Sequence, residues 1–267
     1  MGADEVLYAV DDHVATITLN RPERMNAATF DMADQFRELL ARADADSDVR
    51  AIILTGAGRA FCSGDDVEAA WGDPRMASAL AELGSVRPPL TPEVASLRDC
   101  TTPIIAAVNG PALGVGMDFA VWADIRVAGE SATFGQLFVK MGLSADVTGL
   151  WLLPRIVGHG PAAEMLYTGA TIDAQRALEI GLVSRVVPDD ELQAEARAIA
   201  ARIAANPPLA VRHIKEGLRR AAGRSINDLD ELGAYVGTSL ARLFATKDHR
   251  EAATAFVEKR APAFTGE

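Results

Sequence analysis

Two runs of the chain, "VRAIILTG" (Val49–Gly56) and "PIIAAVNG" (Pro103–Gly110), are apolar almost without interruption, and each stops at glycine. A strand with one wet face alternates polar and apolar residues; a run without alternation must be covered on both faces. These two runs therefore predict central strands with helices on either side. "VATITLN" (Val14–Asn20) alternates and predicts a half-buried strand, while "IRVAG" and "SRVV" are shorter candidates. Between Phe30 and Leu40, Met32, Phe36, Leu39 and Leu40 fall at helical spacing. Strands alternating with helices predict an α/β fold.

The segment from Trp71 to Asp99 holds Pro74, Pro88, Pro89 and Pro92 and predicts a loop-and-helix excursion. Beyond Val187 the pattern turns helical. Leu192, Ile199 and Ile203 share a face, and "NPP" (Asn206–Pro208) ends one helix and opens the next. "SIND" (Ser225–Asp228) has the form of a capping box. Leu229, Leu232, Val236, Leu240 and Leu243 then make an apolar stripe, and "DHRE" (Asp248–Glu251) is a candidate cap for a last helix. The division expected is a core over 1–205 and a helical region over 206–267 that packs on its own core or on a second subunit.

The 267 residues carry a net charge of −11, which speaks against nucleic acid or an anionic membrane as partner. Cys62 and Cys100 form no CxxC or zinc pattern, and no metal site is expected. Two cysteines in a chain this long and an acidic start, "MGADEVLYAVDD", predict a cytoplasmic protein without a membrane span.

Each buried run leads into a glycine-rich turn, "TGAGRAFCSGDD" (Thr55–Asp66) and "VNGPALGVGMD" (Val108–Asp118). Small residues let a backbone turn sharply and approach a ligand. Neither turn has dinucleotide-binding spacing: Gly114-x-Gly116 is followed by Phe119, and Gly56-x-Gly58 by Phe61. No phosphate-loop GxxxxGK[ST] is present. A further oddity is "GQLFVKMGLSADVTGLWLLP" (Gly135–Pro154), which carries a single carboxylate, Asp146, within an otherwise apolar stretch. Asp146 reads as a helix cap or as a proton-transfer group. If Met141, Leu143 and Trp151 pack around it, Asp146 should be poorly solvated and a better base near neutral pH.

Taken together, "RPERMNA", "GAGRAFCSGDDVE", "PIIAAVNGPALGVGMDFAVWADIRVAGESATFG", "LPRIVG", the A-x-E-x-G-L-V element at Ala177–Val183 and "EAATAFVEKRAPAFTGE" resemble the crotonase superfamily of enoyl-CoA hydratases and isomerases. The similarity runs from about residue 5 to the end. It implies a spiral of ββα units with a C-terminal helical trimerisation region, assembled as a homotrimer or as a hexamer of paired trimers. It implies an acyl-CoA thioester as substrate and no separate cofactor, coenzyme A being part of that substrate. It also implies an oxyanion hole made by the backbone N–H groups of Asp65 and Val115, where the family usually has Ala and Gly. Phe256 and Lys259 match positions that touch coenzyme A, while Phe138 and Trp71 belong to the expected pocket wall.

The catalytic side chains depart from the family's hydratases, which set two glutamates on one water. The first matches Asp118; the second matches Phe138, which carries no proton. Dienoyl-CoA isomerases and ring-epoxide isomerases of the family resemble this chain in having an acid that matches Asp146. The resemblance thus implies double-bond isomerisation of an enoyl-CoA by Asp146 and Asp118, with hydration by the same pair as the alternative. A dehalogenase-type nucleophilic aspartate ranks lower, because it needs a histidine and none lies between residues 14 and 158. A non-catalytic acyl-CoA-binding scaffold ranks lower too, because both acids are kept.

Overall fold

The structure, a computed structural model, describes residues 4–83, 91–222 and 229–267. Its main sheet has six strands in the order β1 (Val6–Asp11), β2 (Val14–Leu19), β3 (Ala51–Gly56), β4 (Ile104–Val108), β6 (Ile125–Gly129) and β9 (Arg185–Val187). The β1–β2 pair is an antiparallel hairpin and the remaining pairs are parallel. A second sheet joins β5 (Pro111–Leu113), β7 (Thr133–Gly135) and β8 (Ile172–Asp173). Strands of two or three residues give no alternation to read, and the sequence did not announce this sheet.

Both faces of β3 and β4 are covered, as their composition requires. Ile52, Leu54, Ile104, Ala106 and Val108 point toward one core, shared with Met32, Phe36 and Leu40 of α1 (Phe30–Ala45), Leu97 and Phe119. Their neighbours Ala51, Ile53, Ile105 and Ala107 face the other core, shared with Leu192, Ala196, Ile199 and Ala204. Burying each such Ile or Leu stabilises the fold by roughly 1.5–3 kcal/mol.

The excursion after the first turn is more helical than its prolines suggest. It forms α2 (Val67–Gly72), α3 (Arg75–Leu83) and α4 (Pro92–Asp99), with Pro92 at a helix start, where its missing N–H is harmless. Next come α5 (Val115–Trp122), α6 (Leu153–Val157), α7 (His159–Thr168), α8 (Ala174–Glu179) and α9 (Leu192–Ala204). The Leu192–Ile199 face of α9 packs on the sheet of its own chain.

Past Asn206–Pro208 the chain forms α10 (Pro208–Ala221), α11 (Leu229–Phe244) and α12 (Lys247–Glu258). Buried Lys215 of α10 pairs with Asp124 at 2.7 Å and donates to Thr102 O at 2.8 Å, which ties this region to the core. The "SIND" motif lies outside the described residues. The last helix is capped by Thr246, whose Oγ1 accepts from His249 N–H at 3.0 Å. Asp248 instead is buried and accepts from the Thr265 and Gly266 N–H groups of the C-terminal tail. Among the described residues no helix is long and apolar enough to cross a membrane.

Candidate active site

The two glycine-rich turns lie against each other. Cys62 N–H donates to Pro111 O and Leu113 N–H to Cys62 O, both at 3.0 Å, making a short parallel bridge between them. A Cβ on Gly116 would lie 2.1 Å from Cys62 O, and one on Gly110 would lie 2.1 Å from Arg59 O. These glycines let one turn approach the other rather than a ligand. Asn26 of "RPERMNA" is buried and holds the first turn from beneath, its Nδ2 donating to Ala57 O and Ala60 O at 2.9 and 2.8 Å.

Gly64 (φ +108°) and Gly114 (φ +52°) take conformations that side chains resist. The residue after each is the one expected in the oxyanion hole, Asp65 and Val115. A Cβ built on Gly114 would sit 3.7 Å from Gly64 Cα, so the two positions are neighbours. Val115 opens α5, and a first-turn N–H has no partner within its helix. Among the described residues, neither the Asp65 nor the Val115 N–H donates to another residue.

Helix α5 also carries Asp118. It is fixed by Phe119, whose ring stacks on Phe36 of α1 with centroids 5.1 Å apart. Asp118 is 2 % exposed, and Gln136 Nε2 donates to its Oδ1 at 2.7 Å. Burial, followed by the nearby Asp146 carboxyl, pushes the Asp118 carboxyl well above the ordinary range; the Gln136 donor pulls the other way, and Asp65 adds to the rise. Asp118 and Asp146 are near enough for each carboxyl to act on the other.

Asp146 is half-buried and does cap the turn that follows it. Its Oδ1 accepts from Gly149 N–H and its Oδ2 from Thr148 Oγ1, both at 3.2 Å. The expected apolar wrapping is not found: Met141 and Leu143 are 63 % and 60 % exposed, and Trp151 is exposed as well. The dry acid is Asp118, and Asp146 is the more accessible of the two. Desolvation falls on Asp118 and not, as expected, on Asp146, because local composition does not show which way the irregular segment after the 3-10 turn Phe138–Met141 directs its side chains.

Asp65 keeps an exposed edge, but protein atoms crowd its carboxyl; that partial desolvation, then Glu93 and Asp146, push it up to about 6, while its own N–H opposes the rise. Three carboxyls therefore lie within electrostatic reach of one another. Among the described residues, no group of His, Cys, Asp or Glu is placed to hold a metal ion. The Cys62 thiol is buried and pushed up to about 12, chiefly by that burial, which fits a packing role.

Phe138 stands half-buried at the start of its turn. Trp71 and Phe256 fall in α2 and α12, and their side chains lie outside those described. Lys259 is exposed just beyond α12, which packs on α11. A cavity of about 570 Å³ is lined by Trp122, Val147 and Trp151 among others, while Asp118 and Asp146 do not line it. Trp122 and Thr148, which contact each other beside Asp146, were not singled out in the sequence. A tryptophan in an apolar run reads as core, and its pairing with a residue 26 positions away is visible only in the fold.

Residues 10–267 match the family described as enoyl-CoA hydratase/isomerase. A protein of Mycobacterium bovis named "Probable enoyl-CoA hydratase" is 40 % identical over 255 residues, covering 94 % of this chain and 89 % of its own. The 1,2-epoxyphenylacetyl-CoA isomerase of Escherichia coli is 36 % identical over 262 residues, 98 % of each chain. The crystal structure of an enoyl-CoA hydratase from Bacillus anthracis superimposes with a TM-score of 0.90 at 32 % identity, covering 98 % of this chain and 100 % of that one.

Proposed function

The chain belongs to the enoyl-CoA hydratase/isomerase family, and from that premise we propose that it moves a double bond within an enoyl-CoA thioester by proton transfer through Asp146 and Asp118. The observation that carries this reading is the carboxyl pair: Asp118 is dry and favours its proton, and Asp146 faces it from a more accessible position with two donors on its oxygens. Environments that push two neighbouring acids apart assign one as acid and the other as base.

In this reading the thioester oxygen sits between the Asp65 and Val115 N–H groups. Asp146 takes a proton from the carbon next to the thioester carbonyl, and the electron pair moves into the carbonyl to form a dienolate. The two N–H groups hold that developing charge; one such donor is worth about 3 kcal/mol to the transition state. Asp118 gives its proton to the far end of the dienolate, which shifts the double bond. The proton on Asp146 then returns to Asp118, so the pair resets without net gain or loss. Phe138 supports this reading, since the position matching the second hydratase glutamate cannot handle a proton. The full-length resemblance to a 1,2-epoxyphenylacetyl-CoA isomerase supports isomerisation of an acyl-CoA without net addition of water, on an epoxide in that relative.

Hydration is the second reading, favoured by the names of other relatives. It requires a water held by both acids, and Phe138 stands at the position matching the second glutamate that holds such a water in the family's hydratases. The test is incubation with 3-enoyl-CoA and 2-enoyl-CoA esters in deuterated water. Isomerisation places deuterium in the acyl chain and interconverts the two esters. Rapid formation of 3-hydroxyacyl-CoA without deuterium at the remote carbon would instead establish hydration.

A further inference from the structure

We propose that Trp122 and Thr148 are positioning residues that direct a hydroxyl proton onto Asp146 and so keep it ready to act as the base. The proposal rests on the reading of Asp146 as the base. An indole N–H only donates. That of Trp122 lies 2.9 Å from Thr148 Oγ1, so the threonine oxygen is the acceptor there. The threonine's own proton is thereby left for its other partner, Asp146 Oδ2, at 3.2 Å. Gly149 N–H takes the remaining oxygen, Oδ1. Thr148 is 0 % exposed, so no bulk water competes for its hydroxyl. It opens a π-helical turn, Thr148–Leu152, a rare form concentrated at functional sites. Donors on both oxygens favour a carboxylate over a carboxylic acid.

The relay matters because the one charge facing Asp146 is of like sign. Asp118 from α5 favours its proton and stays neutral, while Asp65 from the first turn opposes the Asp146 charge once ionised. The charged side chain on α6, which packs against the π-turn, is Arg155. It is engaged elsewhere, donating to Trp151 O at 2.6 Å with its guanidinium 4.4 Å from the Trp151 ring centroid. No cation on these two helices offsets the three acids, and the Trp122–Thr148 pair supplies a neutral donor in its place.

The test compares wild type, Thr148→Val, Thr148→Ser, Trp122→Phe and Asp146→Asn by pH profile of turnover on 3-enoyl-CoA, and by carbon-13 titration of the aspartate carboxyls in the free protein. The resonance missing in Asp146→Asn identifies that carboxyl. Thr148→Val keeps the shape and loses the proton donor. With one donor gone from Asp146, the acid limb and the midpoint of the Asp146 resonance should move to higher pH. Thr148→Ser should restore both, and Trp122→Phe should move both in the same direction by less. A Thr148→Val enzyme that is slower by the same factor at every pH, with an unmoved Asp146 midpoint, overturns the relay. Should Thr148→Val not fold, Trp122→Phe decides by the same two readouts. If Asp146→Asn keeps full turnover, the functional reading fails, and the carbon-13 midpoint alone then decides the relay.

Discussion

Gln136 Nε2 donates to Asp118 Oδ1 across 2.7 Å, and the two residues are 1 % and 2 % exposed. The other amide atom, Gln136 Oε1, is buried and has no partner among the described residues. Half a turn of the amide would present that oxygen to a protonated Asp118, so one side chain can serve both states of the acid. Because the Asp118 carboxyl is pushed well above the ordinary range, chiefly by burial, the folded protein holds its proton more tightly than the unfolded chain does. The stability this confers is complete below about pH 3.9, the unfolded value, and is lost as pH rises through the folded one. Asp118→Asn keeps the volume and has no proton to lose. Urea unfolding at pH 5 and pH 8 should show a smaller fall in stability for this variant than for wild type. An equal fall would mean that Asp118 is already charged in the folded protein.

In the proposed reading the Asp65 N–H holds the thioester oxygen, and that same N–H also favours the Asp65 carboxylate. Above about pH 6 the carboxylate is charged and competes with the thioester oxygen; below it the competition fades. The side chain is exposed, so solvent screening keeps the effect small. Asp65→Ala should raise kcat/KM at pH 8 by about 2–5-fold, the worth of a weak exposed charge interaction, and leave it near wild type at pH 5. A loss at both pH values would show that the carboxyl contributes something other than competition.

Val115 is the first residue of α5, a position where proline is tolerated. Val115→Pro therefore removes one N–H while asking little of the helix. Turnover should fall by about 10²–10³, the usual effect of losing one oxyanion donor. Circular dichroism should match wild type. A folded variant with full activity would remove Val115 from the oxyanion hole.

Much of this site was legible in the sequence because it is carried by backbone. Unbroken apolar runs ending in glycine pointed to two buried strands and two turns, while Asp65, Val115 and Asp118 were picked out only by the family resemblance of the segments that follow. Asp146 was conspicuous as a lone acid. What could not be read was orientation. Met141 and Leu143 look like pocket wall in a linear string, yet they point to solvent in the single chain. The contacts Trp122–Thr148 and Gln136–Asp118 join residues 26 and 18 positions apart across turns of irregular geometry, which no periodicity encodes.

Self-association is expected from the C-terminal helices. Ile214, Leu218, Val236, Leu240, Phe244 and Val257 stand exposed on α10, α11 and α12, while Leu243 is half-buried. The side chains of Leu229 and Leu232, the start of the apolar stripe, lie outside those described. An apolar surface of this kind is commonly covered by a partner. Sedimentation at micromolar concentration should give a trimer or a hexamer, and Leu240→Lys combined with Phe244→Glu should lower the mass. A stable wild-type monomer would rule the interface out.

Asp146 both caps a turn and faces Asp118, and one substitution separates these roles. Asp146→Asn keeps an oxygen for the Gly149 N–H and nearly the same volume, so the cap survives. Replacing an N-cap by a residue that cannot accept costs about 1 kcal/mol, whereas exchange between Asp and Asn costs little. Thermal or urea stability should therefore stay close to wild type. The amide does not accept a proton from carbon at neutral pH, and loss of a positioned base costs roughly 10²–10⁴ in rate. Turnover on 3-enoyl-CoA and deuterium incorporation should both fall by at least about a hundredfold. Because Asp118 is buried and favours its proton, it should not take over as base, and raising the pH should recover little of the loss. Wild-type rates with wild-type stability would reduce Asp146 to its cap and leave Asp118 as the principal proton carrier. Wild-type rates in deuterium exchange with lost isomerisation would instead place Asp146 at the second proton transfer, with Asp118 taking the first.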